Sequence, residues 1–318
     1  MMSQYAFYVF FSTIMLMMVI LFNMVSVAFF TLFERKMMGV FHYRRGPNKV
    51  GVNGLLQPFS DAIKLLLKEF FTPLKSTLTL YLAAPVFMFL TTMMLWLIFP
   101  FQSNLMSFNL SFLFFLSFMS MSAHAVMFMS WASNSSYSML GAIRTVAQTI
   151  SYEVTFALSM LMIFMLIDSM DFNKLLMFSN TTNIALLMIF PMFVVFLSIL
   201  AEINRTPFDL SESESELVSG FNIEYGSVKF TIIFLSEYAS IAFMMFIFNL
   251  MFFNSNPMSL SFFIQWISMI YIITWVRMTM PRLRYDMLMT LCWFTLLPLI
   301  LISFIFSTIF LKLPLIYF

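Results

Sequence analysis

The chain has 318 residues, of which 62% are hydrophobic and only 9% are charged, whereas an ordinary soluble domain carries roughly 25% charged residues. This composition leaves too little polar surface for a water-soluble globule and predicts a helical bundle in lipid. The net charge of +2 gives no indication of a nucleic-acid partner. A single cysteine, Cys292, excludes an intrachain disulfide and a cysteine-cluster metal site, so we expect iron-sulfur centres only on partner chains.

Apolar runs of membrane-spanning length, about 20 residues each, recur along the chain. The first run is too long for a signal peptide and lacks a small-residue cleavage site, so it is interpreted as the first spanning helix. The pattern predicts an all-α, polytopic membrane bundle that forms a single domain over residues 1–318. Eight spanning helices are predicted, near 6–32, 79–100, 105–131, 147–167, 183–201, 229–253, 259–276 and 288–311.

The connecting segments differ sharply in charge. Only Lys174 and Lys312 of the 16 basic residues lie on the side of the even-numbered loops. The positive-inside rule then places the odd-numbered loops on the matrix side of a mitochondrial membrane, or the cytoplasmic side of a bacterial one, with both termini opposite. The predicted odd-numbered loops are 33–78, 132–146, 202–228 and 277–287.

The first odd-numbered loop contains a shorter amphipathic segment. Between Leu55 and Phe70, apolar residues recur on one face of a helix, while residues such as Asp61 and Lys64 lie on the other. The segment is too charged to span, so an interfacial helix in the headgroup plane is predicted. A loop helix that only stabilises its neighbours fits the same pattern.

Two carboxylates, Glu153 and Glu237, fall inside predicted spans. Each follows a basic residue near the start of its helix by eight or nine positions, which places both on the order of 12 Å into the membrane from the same side. Acids at such depth are usually functional, and together with Glu202 they predict a proton-accessible polar line. The alternative is that neutral carboxyl groups hydrogen-bond across helices and hold the packing.

The segment Ala201–Glu216 is a second acidic feature. If it is enclosed, repulsion and desolvation raise the pKa values of several carboxyl groups towards neutrality, whereas in open solvent it is an acidic linker. The acids of the segment Ala201–Glu216 are Glu202, Asp209, Glu212, Glu214 and Glu216.

At the end of the first helix, Glu34 and Arg35 are candidates for the mouth of a cavity.

Other chemistries find no support in the sequence. The two histidines, His42 and His124, do not form the paired ligands of a membrane haem. No glycine-rich phosphate loop is present, so nucleotide binding is not expected. We therefore predict no autonomous catalytic residue, no metal site and no bound cofactor on this chain.

Several loop segments resemble one family over nearly the whole chain and in the same order: chain 1 of the proton-pumping NADH-ubiquinone oxidoreductases. Several of the motifs that carry the resemblance are long and specific. They are Glu34-Arg35-Lys36, Arg45-Gly46-Pro47-Asn48-Lys49-Val50-Gly51, Gly54-Leu55-Leu56-Gln57-Pro58, Gln148-Thr149-Ile150-Ser151-Tyr152-Glu153-Val154, the run from Ala201 to Tyr225, and Pro281-Arg282-Leu283-Arg284-Tyr285-Asp286.

The resemblance implies a multi-pass subunit of respiratory complex I in the mitochondrial inner membrane, with ubiquinone as substrate. It also implies partners in the membrane arm and the soluble quinone module, contact with lipids, and FMN and iron-sulfur clusters on those partners. The quinone channel would involve Glu34, Arg35, Asp61, Phe221 and Glu224. Proton coupling would involve Glu153, Glu202, Asp209, Glu212, Glu214, Glu216 and Glu237.

Three other readings remain open from the residues alone. An ion or proton transporter would use intramembrane acids equally well, although no repeat-related broken helices are evident. The membrane subunit of a related membrane-bound hydrogenase would share the motifs. A purely structural scaffold would have no need of Glu153 and Glu237.

Overall fold

The computed structural model describes residues 2–100, 108–179, 182–210, 220–253 and 256–312, and within these ranges the regular structure is helical, with no β-strand. The all-α prediction is thus confirmed. A π-helical stretch, Leu291–Leu296, joins the last two α-helices, Tyr285–Thr290 and Leu297–Ser307. The helices are α1 Met2–Phe41, α2 Gln57–Leu66, α3 Leu78–Leu95, α4 Ser111–Ser133, α5 Ser136–Ile167, α6 Phe172–Ser179, α7 Ile184–Leu187, α8 Ile189–Glu202, α9 Ser227–Phe252, α10 Leu260–Thr279, α11 Tyr285–Thr290 and α12 Leu297–Ser307.

Within the described ranges, seven helical stretches are long and apolar enough to cross a membrane. They correspond to all of the predicted spans except 183–201. That segment forms α7 and α8, which are separated at Met188, where the backbone leaves helical geometry (φ −125°, ψ 49°). The 14 residues of α8 extend about 21 Å, less than the ~30 Å hydrocarbon core of a bilayer.

Two helices extend beyond the apolar runs that predicted them. Helix α1 continues to Phe41 and therefore carries Glu34 and Arg35, and α5 begins at Ser136 rather than near residue 147. Hydropathy detects only the part of a helix that lipid surrounds. The backbone hydrogen bonds of a helix are internal, so polar turns at its end remain helical.

Helix α9 lies at the centre of the bundle. Every side chain from Ile241 to Phe252 is buried, and the helix contacts α1, α3 and α10. Helix α10 is peripheral and exposes apolar side chains such as Ile264 and Trp275, as expected of a surface that faces lipid or other membrane subunits. The central position of α9 brings Glu237 and Tyr238 into the interior.

The predicted amphipathic helix is present as α2, with Pro58 in its first turn, where a missing backbone donor costs nothing. It contacts α1 and α9, and the ring of Phe59 packs edge-on against Phe29 of α1. Its residues Phe59, Ile63 and Leu66 remain exposed. Their exposure suits a helix that lies in the membrane interface.

Candidate functional site

A buried carboxylate, Glu34 of α1, is the centre of a cluster of charged and polar side chains. It is 3% exposed, and the Tyr238 hydroxyl of α9 donates to its Oε2 atom at 2.6 Å. The Arg277 guanidinium of α10 donates to Oε1, and Arg205 Nη1 lies 3.7 Å from the same oxygen. Buried charges require such partners. The cluster therefore joins α1, α9, α10 and the segment after α8.

Arg205 is held by the Glu34 carboxylate and by an aromatic ring. Its guanidinium carbon lies 4.9 Å from the ring centroid of Tyr238, within the range of a cation–π interaction. Burial disfavours the charged guanidinium, but the Glu34 carboxylate outweighs that cost and raises the pKa of Arg205 above its usual value. Arg205 thus provides a permanent positive charge inside the protein.

The position of Arg205 depends on the way the chain leaves α8. The Arg205 backbone N–H donates to the Leu200 carbonyl, and the buried amide of Gln148 donates to the carbonyls of Ala201 at 2.8 Å and Phe208 at 2.9 Å. The Leu200 and Ala201 carbonyls lie in the last turn of α8, where carbonyl groups otherwise lack partners. Gln148 of α5 therefore fixes both sides of the turn that contains Arg205.

A cavity lies beside this cluster, and Arg205 belongs to both. The cavity offers about 70 Å³ to the centres of water molecules. This is room for a few water molecules, because each requires ~10–15 Å³. Phe221 and methionine side chains form its apolar wall. Its polar wall is formed by Thr92, Ser122, Thr145, Thr149, Glu202, Asn204, Arg205, Glu237 and Ser240.

Acids from three helices are within electrostatic reach of one another or of Arg205. Glu153 of α5 interacts with Glu202 at the end of α8, and Glu237 of α9 interacts with Arg205. Glu153 also interacts with His124, which is exposed on α4. The structure therefore brings the three predicted membrane acids to one region, where carboxyl groups and water can exchange protons.

A second polar site lies at the junction of α1 and α2. Arg35 forms an ion pair with Asp61, and the Gln57 amide donates to the other Asp61 oxygen at 2.9 Å. Arg35 is exposed, whereas its neighbour Glu34 is buried, because adjacent residues on a helix point in directions about 100° apart. The ion pair thus connects the two helices on the outside of the bundle.

The remaining predicted residues lie in different places. Phe221 lines the cavity, close to Gly141 of α5, where a Cβ atom would approach the Phe221 nitrogen to 3.4 Å. Glu224 is half-buried, and its carbonyl accepts a bond from Tyr81. Asp209 does not line the cavity but pairs with Arg282 at 3.0 Å. Glu212, Glu214 and Glu216 lie outside the described residues.

A family model described as NADH dehydrogenase matches residues 14–308. The chain belongs to the NADH dehydrogenase family. This confirms the resemblance of the loop motifs, and the match includes the Glu34 cluster, the cavity and the junction of α1 with α2.

Individual relatives of this family are similar over most of their length, and each bears the name NADH-ubiquinone oxidoreductase chain 1. The chain is 49% identical to that of Anopheles gambiae over 277 residues, which are 87% of this chain and 88% of the relative. It is 49% identical to that of Locusta migratoria over 286 residues, 89% and 90% of the two chains. Identity to that of Papio hamadryas is 42% over 308 residues, 93% and 96%.

No local sequence pattern indicates the partners of Glu34 in this NADH dehydrogenase family member. Arg205 lies within a family motif and Tyr238 directly follows Glu237, but neither position indicates contact with α1. Arg277 is the first residue of the predicted loop 277–287. In the described ranges, no group of three His, Cys, Asp or Glu side chains is arranged to hold a metal ion.

Proposed function

We propose that this chain is the membrane subunit of an NADH:ubiquinone oxidoreductase that borders the ubiquinone channel and couples quinone reduction to proton transfer. The shared name of the relatives, NADH-ubiquinone oxidoreductase chain 1, supports membership of that complex. The coupling role is supported by the position of Arg205, which lies beside Glu34 and also lines the cavity that contains Glu202 and Glu237. A change of charge at one is therefore felt at the other.

The channel is proposed to run past the junction of α1 and α2. There the Arg35–Asp61 pair lies near apolar rings such as Phe29 and Phe59. A quinone has polar carbonyl oxygens on its head and an apolar tail, so it needs a few polar groups within an apolar wall. Glu34, Phe221 and Glu224 are proposed to lie farther along the same route.

The coupling follows from electrostatics in a low-dielectric interior. The two electrons that reduce a quinone create negative charge close to Arg35 and Glu34, and this charge persists until two protons follow and give the neutral quinol. Interactions between charges are stronger inside a protein than in water. Because Arg205 interacts with Glu34 and with Glu237, a change at Glu34 alters the free energy of protonating the cavity acids. Glu237, Glu202 and Glu153 are proposed to carry those protons.

The acidic loop is proposed to extend the same proton route. Asp209 interacts with Arg282, so its charge is balanced in the described structure. Glu212, Glu214 and Glu216 retain the coupling role on the strength of the family motif that contains them. Their crowding makes a carboxyl group easier to protonate if the loop is enclosed.

The assembly also defines location and partners. We infer a mitochondrial inner-membrane protein with a single membrane domain over residues 1–318 and matrix-side loops at 33–78, 132–146, 202–228 and 277–287. Electrons would reach ubiquinone from FMN and iron-sulfur clusters on soluble partner subunits, because no such group is expected on this chain. Other membrane-arm subunits and lipids would cover the exposed apolar surface, which includes much of α10.

Photoaffinity labelling of the purified complex tests this function. A ubiquinone analogue with a photoreactive head should label peptides that contain Arg35 or Asp61, and excess ubiquinone should protect them. The lipid-facing surface of α10 around Trp275 serves as the internal control, because apolar probes label it without competition. Labelling of the α10 peptide alone, or labelling that ubiquinone does not reduce, would contradict the proposed channel.

A further inference from the structure

The first turn of α9 contains a buried lysine whose ammonium group lies between two aromatic rings. Lys229 is 4% exposed, and its Nζ atom lies 4.0 Å from the ring centroid of Phe70 and 3.9 Å from that of Tyr81. The same atom donates to the Phe71 carbonyl at 3.3 Å. None of the ion pairs formed by described residues includes Lys229.

A cation at this position opposes two physical tendencies. Burial removes the ammonium group from water, and the amino-terminal end of a helix carries partial positive charge, which repels a cation. The two ring faces and the carbonyl are the groups that offset these costs. Phe70 and Phe71 both belong to the segment that directly follows α2. The lysine is therefore accommodated by the segment at the end of the amphipathic helix.

A second side chain of the same turn holds the same segment. The Ser227 hydroxyl donates to the Lys68 carbonyl at 3.0 Å. Two residues of α9 thus bind two backbone carbonyls in the segment after α2. Because α9 is the central helix of the bundle, this contact links the end of α2 to the buried core of the protein.

The Tyr81 ring is itself fixed in place. It stacks on Tyr225 with centroids 4.5 Å apart and an angle of 17° between the rings, and its hydroxyl donates to the Glu224 carbonyl. One ring face is occupied by Tyr225, so the ammonium of Lys229 takes the other. Lys229 therefore connects a rigid aromatic stack to the ring of Phe70, most of which is exposed.

We propose that Lys229 is a positioning residue that clamps the segment after α2 onto α9 and thereby fixes the position of α2 against α1. At the α1 side, α2 is held by the ion pair between Asp61 and Arg35 and by the ring contact of Phe59 with Phe29. With the clamp in place as well, the carboxyl-terminal end of α2 cannot move away from the bundle. The consequence for quinone binding rests on the proposed function, in which the junction of α1 and α2 borders the ubiquinone channel.

Hydrogen exchange in the assembled complex tests the clamp. Replacement of Lys229 by Met preserves an unbranched side chain one atom shorter but removes the charge and the donor. Peptides covering 57–71 should then exchange roughly tenfold faster, as loss of a desolvated cation–π contact predicts. Lys229→Arg keeps the charge and should retain most of the protection. Lys64→Met is the matched control, because Lys64 is exposed on α2.

Two neighbouring phenylalanines, Phe70 and Phe71, allow the effect of the ring contact with Lys229 to be distinguished from the effect of losing any apolar side chain. Phe70→Leu removes the ring against which the ammonium lies and should also accelerate exchange. Phe71→Leu should not, because Phe71 contributes its backbone carbonyl and its side chain is exposed. These variants keep the test decisive if the Lys229→Met complex does not assemble. Equal protection in Phe70→Leu and Phe71→Leu, or in Lys229→Met and Lys64→Met, would overturn the clamp.

Steady-state kinetics test the consequence for quinone binding. A loosened α2 should raise KM for ubiquinone about fivefold while kcat changes little, because the groups that react are untouched. Lys229→Arg should restore KM. Faster exchange with unchanged KM would confirm the clamp and count against the junction of α1 and α2 as part of the quinone channel, so the two proposals fail separately. A fall in kcat alone would contradict a positioning role.

Discussion

Glu34 and Arg35 are consecutive residues of α1 that serve two separate sites. The Glu34 carboxylate is buried and accepts bonds from Tyr238 and Arg277, while the Arg35 guanidinium is exposed and pairs with Asp61 of α2. One turn of one helix thus contributes to the internal charge cluster and to the junction with the amphipathic helix. The proposed channel at Arg35 and the proposed coupling route at Glu34 are therefore adjacent along the helix.

Replacing Arg35 by Ala should weaken quinone reduction more than assembly. An exposed ion pair contributes at most about 1 kcal/mol to stability, but a guanidinium in an apolar opening orients polar groups in a way that few other side chains can. We expect KM for ubiquinone to rise about threefold or more in complexes of normal abundance. Blue-native gels and quinone titrations measure the two quantities. Loss of the whole complex would show that Arg35 is structural.

Replacing Tyr238 by Phe should destabilise the Glu34 cluster. The variant retains the ring beneath Arg205 but removes the hydroxyl that donates to Glu34, and an unsatisfied buried acceptor costs roughly 1–3 kcal/mol. The thermal stability of the complex and its quinone reductase activity should both fall. Tyr271→Phe, on the outer side of α10, is the matched control. If the two variants behave alike, the hydroxyl has no special role.

The variants Glu237→Gln and Glu153→Gln should assemble but lose quinone reduction and proton pumping together. Glutamine preserves the size and most hydrogen bonds of glutamate but cannot exchange a proton, and a redox step coupled to charge movement cannot finish without it. The Asp variants should be milder. Reconstituted complexes with a pH-sensitive dye measure protons per quinone. A normal ratio in both Gln variants would identify these acids as packing groups.

The topology predicts opposite accessibility for two loop positions. Single cysteines at Asn53 and Asn256, both exposed, should react with a membrane-impermeant maleimide from opposite faces, because basic residues concentrate in the loops on the Asn53 side. The native Cys292 is buried and gives little background. Intact mitoplasts and inverted vesicles provide the two faces. Labelling of both positions from one face would overturn the orientation.

The sequence by itself determined the class, most of the helices and the family. Hydropathy over a window and the period of apolar residues are local properties, so they located the spans and the amphipathic helix α2. The family followed from continuous motifs such as Arg45–Gly51, which need no knowledge of the fold. Hydropathy did not locate the end of α1 or the start of α5, because polar turns remain helical beyond the lipid.

Only the tertiary structure decided which charges meet. The partners of Glu34 lie 204 positions away at Tyr238 and 243 positions away at Arg277, and no local pattern records such a contact. Asp209, grouped by sequence with the cavity acids, instead pairs with Arg282, 73 positions away. In the sequence, Lys229 is a basic residue near the start of a predicted span, and only the structure places it between the rings of Phe70 and Tyr81. Burial makes such pairings strong, and helix packing, which depends on the whole chain at once, selects them.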